Sequence, residues 1–396
     1  MKQTTSFGFF ALLMALALLI TMKIQNKHLE MDLTRNPSLP TEREWRGELQ
    51  GLPRGIIEPT TDMELKSMLK NSRLKGASDK SNSLLAMAVG ISQKKNVDNI
   101  VRKFLIEDFS IMLFHYDGSV DGWHDLNWSN KAVHILAYNQ TKWWFAKRFL
   151  HPDVVSIYDY IFLWDEDLGV ENFHPRRYLK IMFSEGLEIS QPALDPDQSS
   201  DIHHRITIRN KMMKVHRRIY DFRGSLNCSD ESKGPPCTGW VEGMAPVFSR
   251  AAWRCVWHLI QNDLIHGWGL DMKLGYCAQG DQTKKVGVID SEFIVHQGIP
   301  SLGGPSVTKA LHRSVDLRSQ IRRQSTAELE KFKERWNKAV KEDKEWTDRF
   351  VKCSPDVSSV ELSQNLLLRT IIDQRTKGAA SSIRQNNHNL TLHLAT

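Results

Sequence analysis

Three consecutive acids, Asp165-Glu166-Asp167, follow the apolar run Tyr160-Ile161-Phe162-Leu163-Trp164. An unbroken run of this kind reads as a strand covered on both faces. In open parallel sheets, ligands bind at the C-terminal ends of the strands. Adjacent carboxylates repel one another near a core, and a divalent cation relieves that repulsion. Asp165 and Asp167 project to one side of an extended chain, so both address one ion. Glu166 points the other way and holds the loop. The plainer alternative is a solvated acidic turn at the start of a helix.

Three further segments could join such a site. His296 closes the apolar stretch Val286 to Val295, and imidazole is a good ligand for manganese-like ions beside carboxylates. Glu242 lies among apolar residues just after Trp240, where a carboxylate needs a partner or a ligand. In His266-Gly267-Trp268-Gly269-Leu270-Asp271, the two glycines permit close backbone approach. Trp268 offers a flat face to a sugar ring. Asp271 can take a proton from an acceptor hydroxyl. The expected site is therefore metal at Asp165, Asp167 and His296, catalysis at Asp271 and Glu242, and substrate at Trp268, Gly267, Gly269, Asp165 and Trp240. Taken singly, His296 also reads as an ordinary strand-end residue, Glu242 as a salt-bridged edge residue, and Asp271 as a helix N-cap.

The elements that must position these residues alternate. Leu84 to Val89 reads as a buried strand. Asn96 then caps a helix whose apolar face is Val97, Ile100, Val101, Phe104 and Leu105. Phe109–Phe114 and Ala132–Ala137 are expected strands, with a helix over Thr141–Leu150 stopped before Pro152. Pro175 and Gly186 suit the start and end of a helix, and Leu187–Leu194 returns as a strand. Helices are expected over Ala251–Ile260 and Met272–Cys277. Strands alternating with helices imply an α/β domain built on a mainly parallel sheet. Leu317–Trp346, highly charged with sparse apolar positions, reads as one long surface helix.

The chain has 396 residues, 41% of them hydrophobic and 25% charged, enough for one large domain with appendages. Lys and Arg total 53 against 46 acids, spread without a long single-sign block, which disfavours a dedicated nucleic-acid face. Phe7 to Met22 is an uncharged apolar run between lysines and reads as a transmembrane signal anchor, with a cleaved signal peptide as the rival reading because Ala15-Leu16-Ala17 has the small-x-small form. The expected order is a cytosolic tail (1–6), the anchor (7–22), a stem (23–80), the catalytic domain (81–310), a charged helix (311–350) and a polar tail (351–396). Glycosylation sequons begin at Asn127, Asn139, Asn227 and Asn389. Five cysteines lack a Cys-x-x-Cys spacing, which argues against structural zinc. Cys228 and Cys237 could form a short disulfide or remain buried thiols.

Asp165-Glu-Asp-Leu-Gly-Val-Glu-Asn172, Ile189-Ser-Gln-Pro-Ala-Leu194, Pro236-Cys-Thr-Gly-Trp240, Ala245-Pro-Val-Phe-Ser-Arg250 and Trp268-Gly-Leu-Asp-Met272 closely resemble a plant family known as domain of unknown function 707. The resemblance runs from about Leu52 to Gly304. Some members carry the label "lysine-ketoglutarate reductase trans-splicing related". The order of elements also resembles the nucleotide-sugar-dependent glycosyltransferases of the GT-A fold. That resemblance implies that Asp165 approaches the nucleotide ribose and the ion. Asp167 would bind the ion, usually manganese, together with the diphosphate, and His296 would complete the metal site. Trp268 and Asp271 fall where related inverting enzymes have a Trp-Gly stretch and an acidic base, although a single Asp follows Leu270 where many relatives have a Glu-Asp pair.

The expectation is a manganese-dependent glycosyltransferase of the hexosyl- or pentosyltransferase class. It would use a nucleotide sugar and a glycan acceptor, anchored by its N-terminal helix as a single-pass type II protein of the Golgi or another secretory-pathway membrane. Two other readings stand beside it. One is a non-catalytic lumenal scaffold or sugar-binding protein of the same fold. The other is a trans-splicing-related protein associated with nucleic acid, which the anchor and sequons disfavour.

Overall fold

Alternation along two neighbouring strands sets the architecture. In β1 (Ser83–Val89), Leu84 and Ala86 join one apolar cluster, whereas Leu85, Met87 and Val89 join another. In β4 (Tyr160–Trp164), Ile161 and Leu163 take the first side, and Phe162 and Trp164 the second. A strand that buries both faces needs a layer on each, so the sheet is the middle of three layers. The computed structural model describes residues 51–57, 82–200, 202–220, 227–299 and 314–350. The expected tail, anchor and polar C-terminus, most of the stem, the Asn389 sequon and Cys353 lie outside the described residues. Among these residues, no helix is long and apolar enough to cross a membrane.

The sheet runs β3-β2-β1-β4-β8-β6-β9-β5, with β2 at Ser110–His115, β3 at Ala132–Leu136, β5 at Leu168–Gly169, β6 at Ile189–Leu194, β8 at Val247–Ser249 and β9 at Val286–His296. A two-residue strand, β7 (Val215–His216), also pairs with β9. The β3-β2-β1-β4 half is parallel, and β6 pairs with β9 in parallel. The short β8 runs antiparallel between β4 and β6, so the six longer strands share one direction in a sheet that is mixed overall. Sequence periodicity missed β5, β7 and β8 because two or three residues carry no readable period.

Helix α1 (Lys94–Leu105) buries Val97, Ile100, Val101 and Phe104, the helical stripe expected of it. Phe104 meets Phe109, Phe162 and Trp164 edge-on. Helix α3 (Pro175–Ser184) lies on the same face through Tyr178 and Met182. Helices α2 (Lys142–Phe149) and α4 (Arg250–Leu259) cover the opposite face through Phe145, Trp253 and Trp257. Two short helices, α5 (Asp271–Leu274) and α6 (Gln282–Lys285), lead into β9.

Three expectations change. Asn96 does not cap α1; it sits inside the helix, where Gln93 is the cap residue. The C-terminal helix, α7 (Ser314–Glu342), is more than a surface appendage, since Phe332, Trp336 and Ala339 enter the core beneath α4. Its few apolar residues are sparse but spaced three and four apart, which is enough for a buried stripe. Residues 51–57, assigned to the stem, also pack into the domain. Leu52 and Ile56 are buried, and the Arg54 guanidinium lies 2.7 Å from Asp343.

Both disulfides join elements of this domain: Cys228 to Cys237, and Cys255 of α4 to Cys277 after α5. The importance of α7 is testable. Trp336 is 4% exposed and packs against Tyr276 and Trp346. Trp336→Ala is expected to lower the unfolding free energy by about 3–5 kcal/mol, read from urea denaturation. A loss below about 1 kcal/mol would mean that α7 is peripheral.

Candidate active site

Strand parity carries Asp165 onto the face of α2. Lys142, the first residue of α2, is buried, and its Nζ lies 2.6 Å from Asp165 Oδ1. The same ammonium donates to the main-chain oxygens of Gly243 at 2.5 Å and Met244 at 3.4 Å. The Asp165 N–H donates to the Met244 oxygen at 2.8 Å. Burial pushes the Asp165 carboxyl up, Lys142 holds it down, and the nearby Asp167 charge pushes it up again.

Glu166 turns the other way. Its buried carboxyl accepts from the Gly90 N–H at 2.7 Å and from the Tyr116 hydroxyl. Burial pushes it up to about 8, so Glu166 is largely a neutral acid at pH 7. Its main-chain oxygen accepts from Asn96 Nδ2 at 2.5 Å, and Asn96 Oδ1 in turn accepts from Gln297 at 3.2 Å. Asn96 thereby ties the acid loop to the end of β9.

Asp167 meets that same end. Leu168 of β5 pairs with His296 of β9, which fixes the two segments side by side. His296 Nε2 lies 3.4 Å from Asp167 Oδ2, which also accepts from the Ile299 N–H at 3.0 Å. Asp167 and His296, placed together by their residue types, therefore meet from two strands, while Asp165 stands two residues earlier on the same loop. Among the described residues, however, no three His, Cys, Asp or Glu side chains are grouped so as to hold an ion as they stand. Asp165 is turned to Lys142, and Asp167 to His296.

Glu242 is buried, and its N–H donates to Gln191 Oε1 at 2.5 Å. It immediately precedes the Gly243 and Met244 carbonyls that hold Lys142. Trp240, expected to face substrate, is only 1% exposed and packs against His204. It belongs to a buried cluster with Ala193, Ile206 and Val288 and has no open face for a sugar.

The Trp268 loop is a separate construction. Gly267 and Gly269 have φ of 68° and 93°, the left-handed region that favours glycine. A Cβ on Gly267 would stand 2.3 Å from Trp143 Cδ1, and one on Gly269 would stand 2.7 Å from Leu329 Cδ1 of α7. Packing against α2 and α7 thus accounts for both glycines, which were expected to admit substrate. His266 fastens the loop to α7, with its N–H and Nδ1 2.8 and 2.9 Å from the Glu328 carboxylate. Trp268 remains 40% exposed. Asp271 Oδ1 accepts from the Met272 N–H at 2.9 Å, and burial pushes its carboxyl up to about 6. No hydrogen bond or ion pair joins Asp271 to the Asp165–Asp167–His296 cluster among the described residues.

Sequence reasoning missed Lys142, Tyr116 and Asn96 as parts of this site. The signal for Lys142 was a lysine opening a helix directly before the aromatic run Trp143-Trp144-Phe145.

Comparison with known proteins places the chain as follows. No curated protein matches it. Among solved structures, S. aureus TarS 1-349 is similar at 9% identity with a TM-score of 0.37, over 55% of this chain and 60% of that chain. The same fragment in complex with UDP gives the same values. The mannosyltransferase Ktr4p from S. cerevisiae is similar at 10% identity with a TM-score of 0.22, over 42% of this chain and 55% of that chain. This chain therefore spans about 60% of the TarS fragment's length. The family model described as "Protein of unknown function (DUF707)" matches residues 44–342, well over half of the sequence, and the chain belongs to that family.

Proposed function

We propose that this protein is a metal-dependent glycosyltransferase that takes a nucleotide sugar and a glycan acceptor. The observation that carries the reading is the meeting of Asp167, from the end of β4, with His296, from the end of β9, beside Asp165. Two carboxylates and one imidazole are a donor set that suits manganese or a similar hard divalent ion. Burial is the main cause that raises the Asp165 carboxyl, and the Asp167 charge adds a smaller push that such an ion would relieve. Asp165, Asp167 and His296 would hold it, with Asp165 turned from Lys142 toward Asp167. Bound there, the ion supplies charge neutralisation for a departing diphosphate.

The chain's own groups supply the rest. Lys142, which pairs with Asp165 in the structure, would be released toward the donor phosphates when Asp165 turns to the ion. Trp268 presents an exposed ring face against which a sugar can stack. Asp271, held near the physiological range by burial, is suited to accept the acceptor's hydroxyl proton. Glu242 is assigned to the acceptor side, between Trp240 and the carbonyls that fix Lys142. A secretory-pathway location, with the apolar segment 7–22 as anchor, is part of the same proposal. It is supported by two disulfides and by exposed sequon asparagines at Asn127, Asn139 and Asn227.

Asp167→Ala is expected to abolish manganese-dependent binding of nucleotide sugars in calorimetry while the melting temperature stays within a few degrees. Unchanged donor affinity would count against the metal site. Asp271 must be ionised to act as a base. Turnover is therefore expected to rise with pH through about 6 and level off above it, and Asp271→Asn should reduce kcat at least a hundredfold. An unaltered pH profile in Asp271→Asn would assign the proton to another group.

A further inference from the structure

Away from the acid cluster, the segment carrying β7 lines a groove of about 870 Å³. Five basic side chains line it, Arg205, Arg209, Lys211, Arg217 and Arg218, and no carboxylate does among the described residues. The carboxylates nearby are already engaged. Asp197 pairs with Lys211 at 3.0 Å, and Glu185 takes Arg217 at 3.0 Å and Lys214 at 3.7 Å. Asp290 is buried and accepts from the Asn210 N–H at 2.7 Å with His216 Nδ1 at 2.8 Å, and Asp230 accepts from the Tyr220 hydroxyl.

Arg209 and Arg218 differ from the other cations. Arg209 donates to the Asp290 main-chain oxygen at 3.2 Å and lies 3.5 Å over the Phe293 ring. Arg218 donates to the main-chain oxygens of Ser229 at 2.6 Å and Asp230 at 3.3 Å. Carbonyls and a ring orient both guanidiniums without neutralising them. Such a planar fork is preorganised for a carboxylate or another oxyanion. Tyr220 and Met213, both exposed, give the groove an apolar margin.

We infer that this groove binds an acidic glycan, a sugar chain bearing uronate carboxylates, as an extended part of the acceptor; the word acceptor rests on the transferase reading above. The floor connects the two places. Ile219 of the groove packs in one cluster with Trp240, Val288 and Met272, and Met272 follows Asp271. The groove's size favours a glycan over a nucleic acid. Its volume lies in the range of small-ligand sites, whereas a nucleic-acid module buries at least about 600 Å² against a broad basic face.

The test is binding of a short oligosaccharide of galacturonic acid, followed by calorimetry at low and moderate salt. Expected are salt-sensitive binding, at least tenfold weakening in the double variant Arg209→Gln, Arg218→Gln, and unchanged affinity in Asp167→Ala. The methyl-esterified oligosaccharide, which keeps the sugar chain but loses its charge, should bind at least tenfold more weakly to the unaltered protein. That comparison holds even where a variant fails to fold. Equal binding of the esterified chain, wild-type affinity in a folded double variant, or tighter binding of single-stranded DNA would each overturn the assignment. Loss of donor binding in Asp167→Ala is read separately, so a failed transferase reading and a failed groove are told apart.

Discussion

A buried ammonium is the constraint on which the candidate site depends. Removing a carboxylate from water costs several kcal/mol unless a partner and hydrogen bonds replace the solvent. Lys142 meets that need at the end of β4 by contacting the Asp165 carboxylate and the oxygens of Gly243 and Met244. One side chain thereby fixes three segments: the start of α2, the end of β4 and the lead into β8. The Asp165 side chain is half-buried, so Lys142 replaces part of its solvent while main-chain bonds from Leu163 and Asp165 hold β4 to the segment before β8.

The neighbouring acids solve the same electrostatic problem differently. Glu166 is held as a largely neutral acid among the Gly90 amide and the Tyr116 hydroxyl. Asp167 faces His296 and accepts from the Ile299 amide. Three consecutive carboxyls thus occupy three environments, set by which way each leaves the strand. That division gives each carboxyl its own partner: Lys142 for Asp165, Gly90 and Tyr116 for Glu166, and His296 for Asp167.

Much of this was legible in the sequence where periodicity or chemistry was concentrated. The β1, β2, β3, β4 and β6 segments announced themselves as apolar runs, and α1 as a stripe at Val97, Ile100, Val101 and Phe104. The convergence of the Asp165 triplet and His296 followed from placing both at strand ends. What escaped notice depends on distant partners. Lys142 is meaningful only once α2 lies over β4. Asn96 looks like a cap until its amide is seen to reach the Glu166 and Leu168 oxygens. Trp240 and the glycines at 267 and 269 carry the right residue types for a sugar site, yet their surroundings are protein. Local pattern reports which face a residue takes, not what fills the space beyond it. Cys255 and Cys277 could not be paired from spacing, because α4 and the segment after α5 meet only in the finished fold.

The clamp on the Trp268 loop bears on how the protein is made. His266 is fastened to Glu328, and Gly269 lies under Leu329, both some sixty residues farther along the chain. During synthesis, the sheet and its acid-bearing strand ends can assemble well before α7 emerges. The Trp268–Asp271 segment cannot be seated until it does. Folding therefore completes the two halves of the candidate site in sequence, with the half bearing Trp268 and Asp271 dependent on the last helix among the described residues.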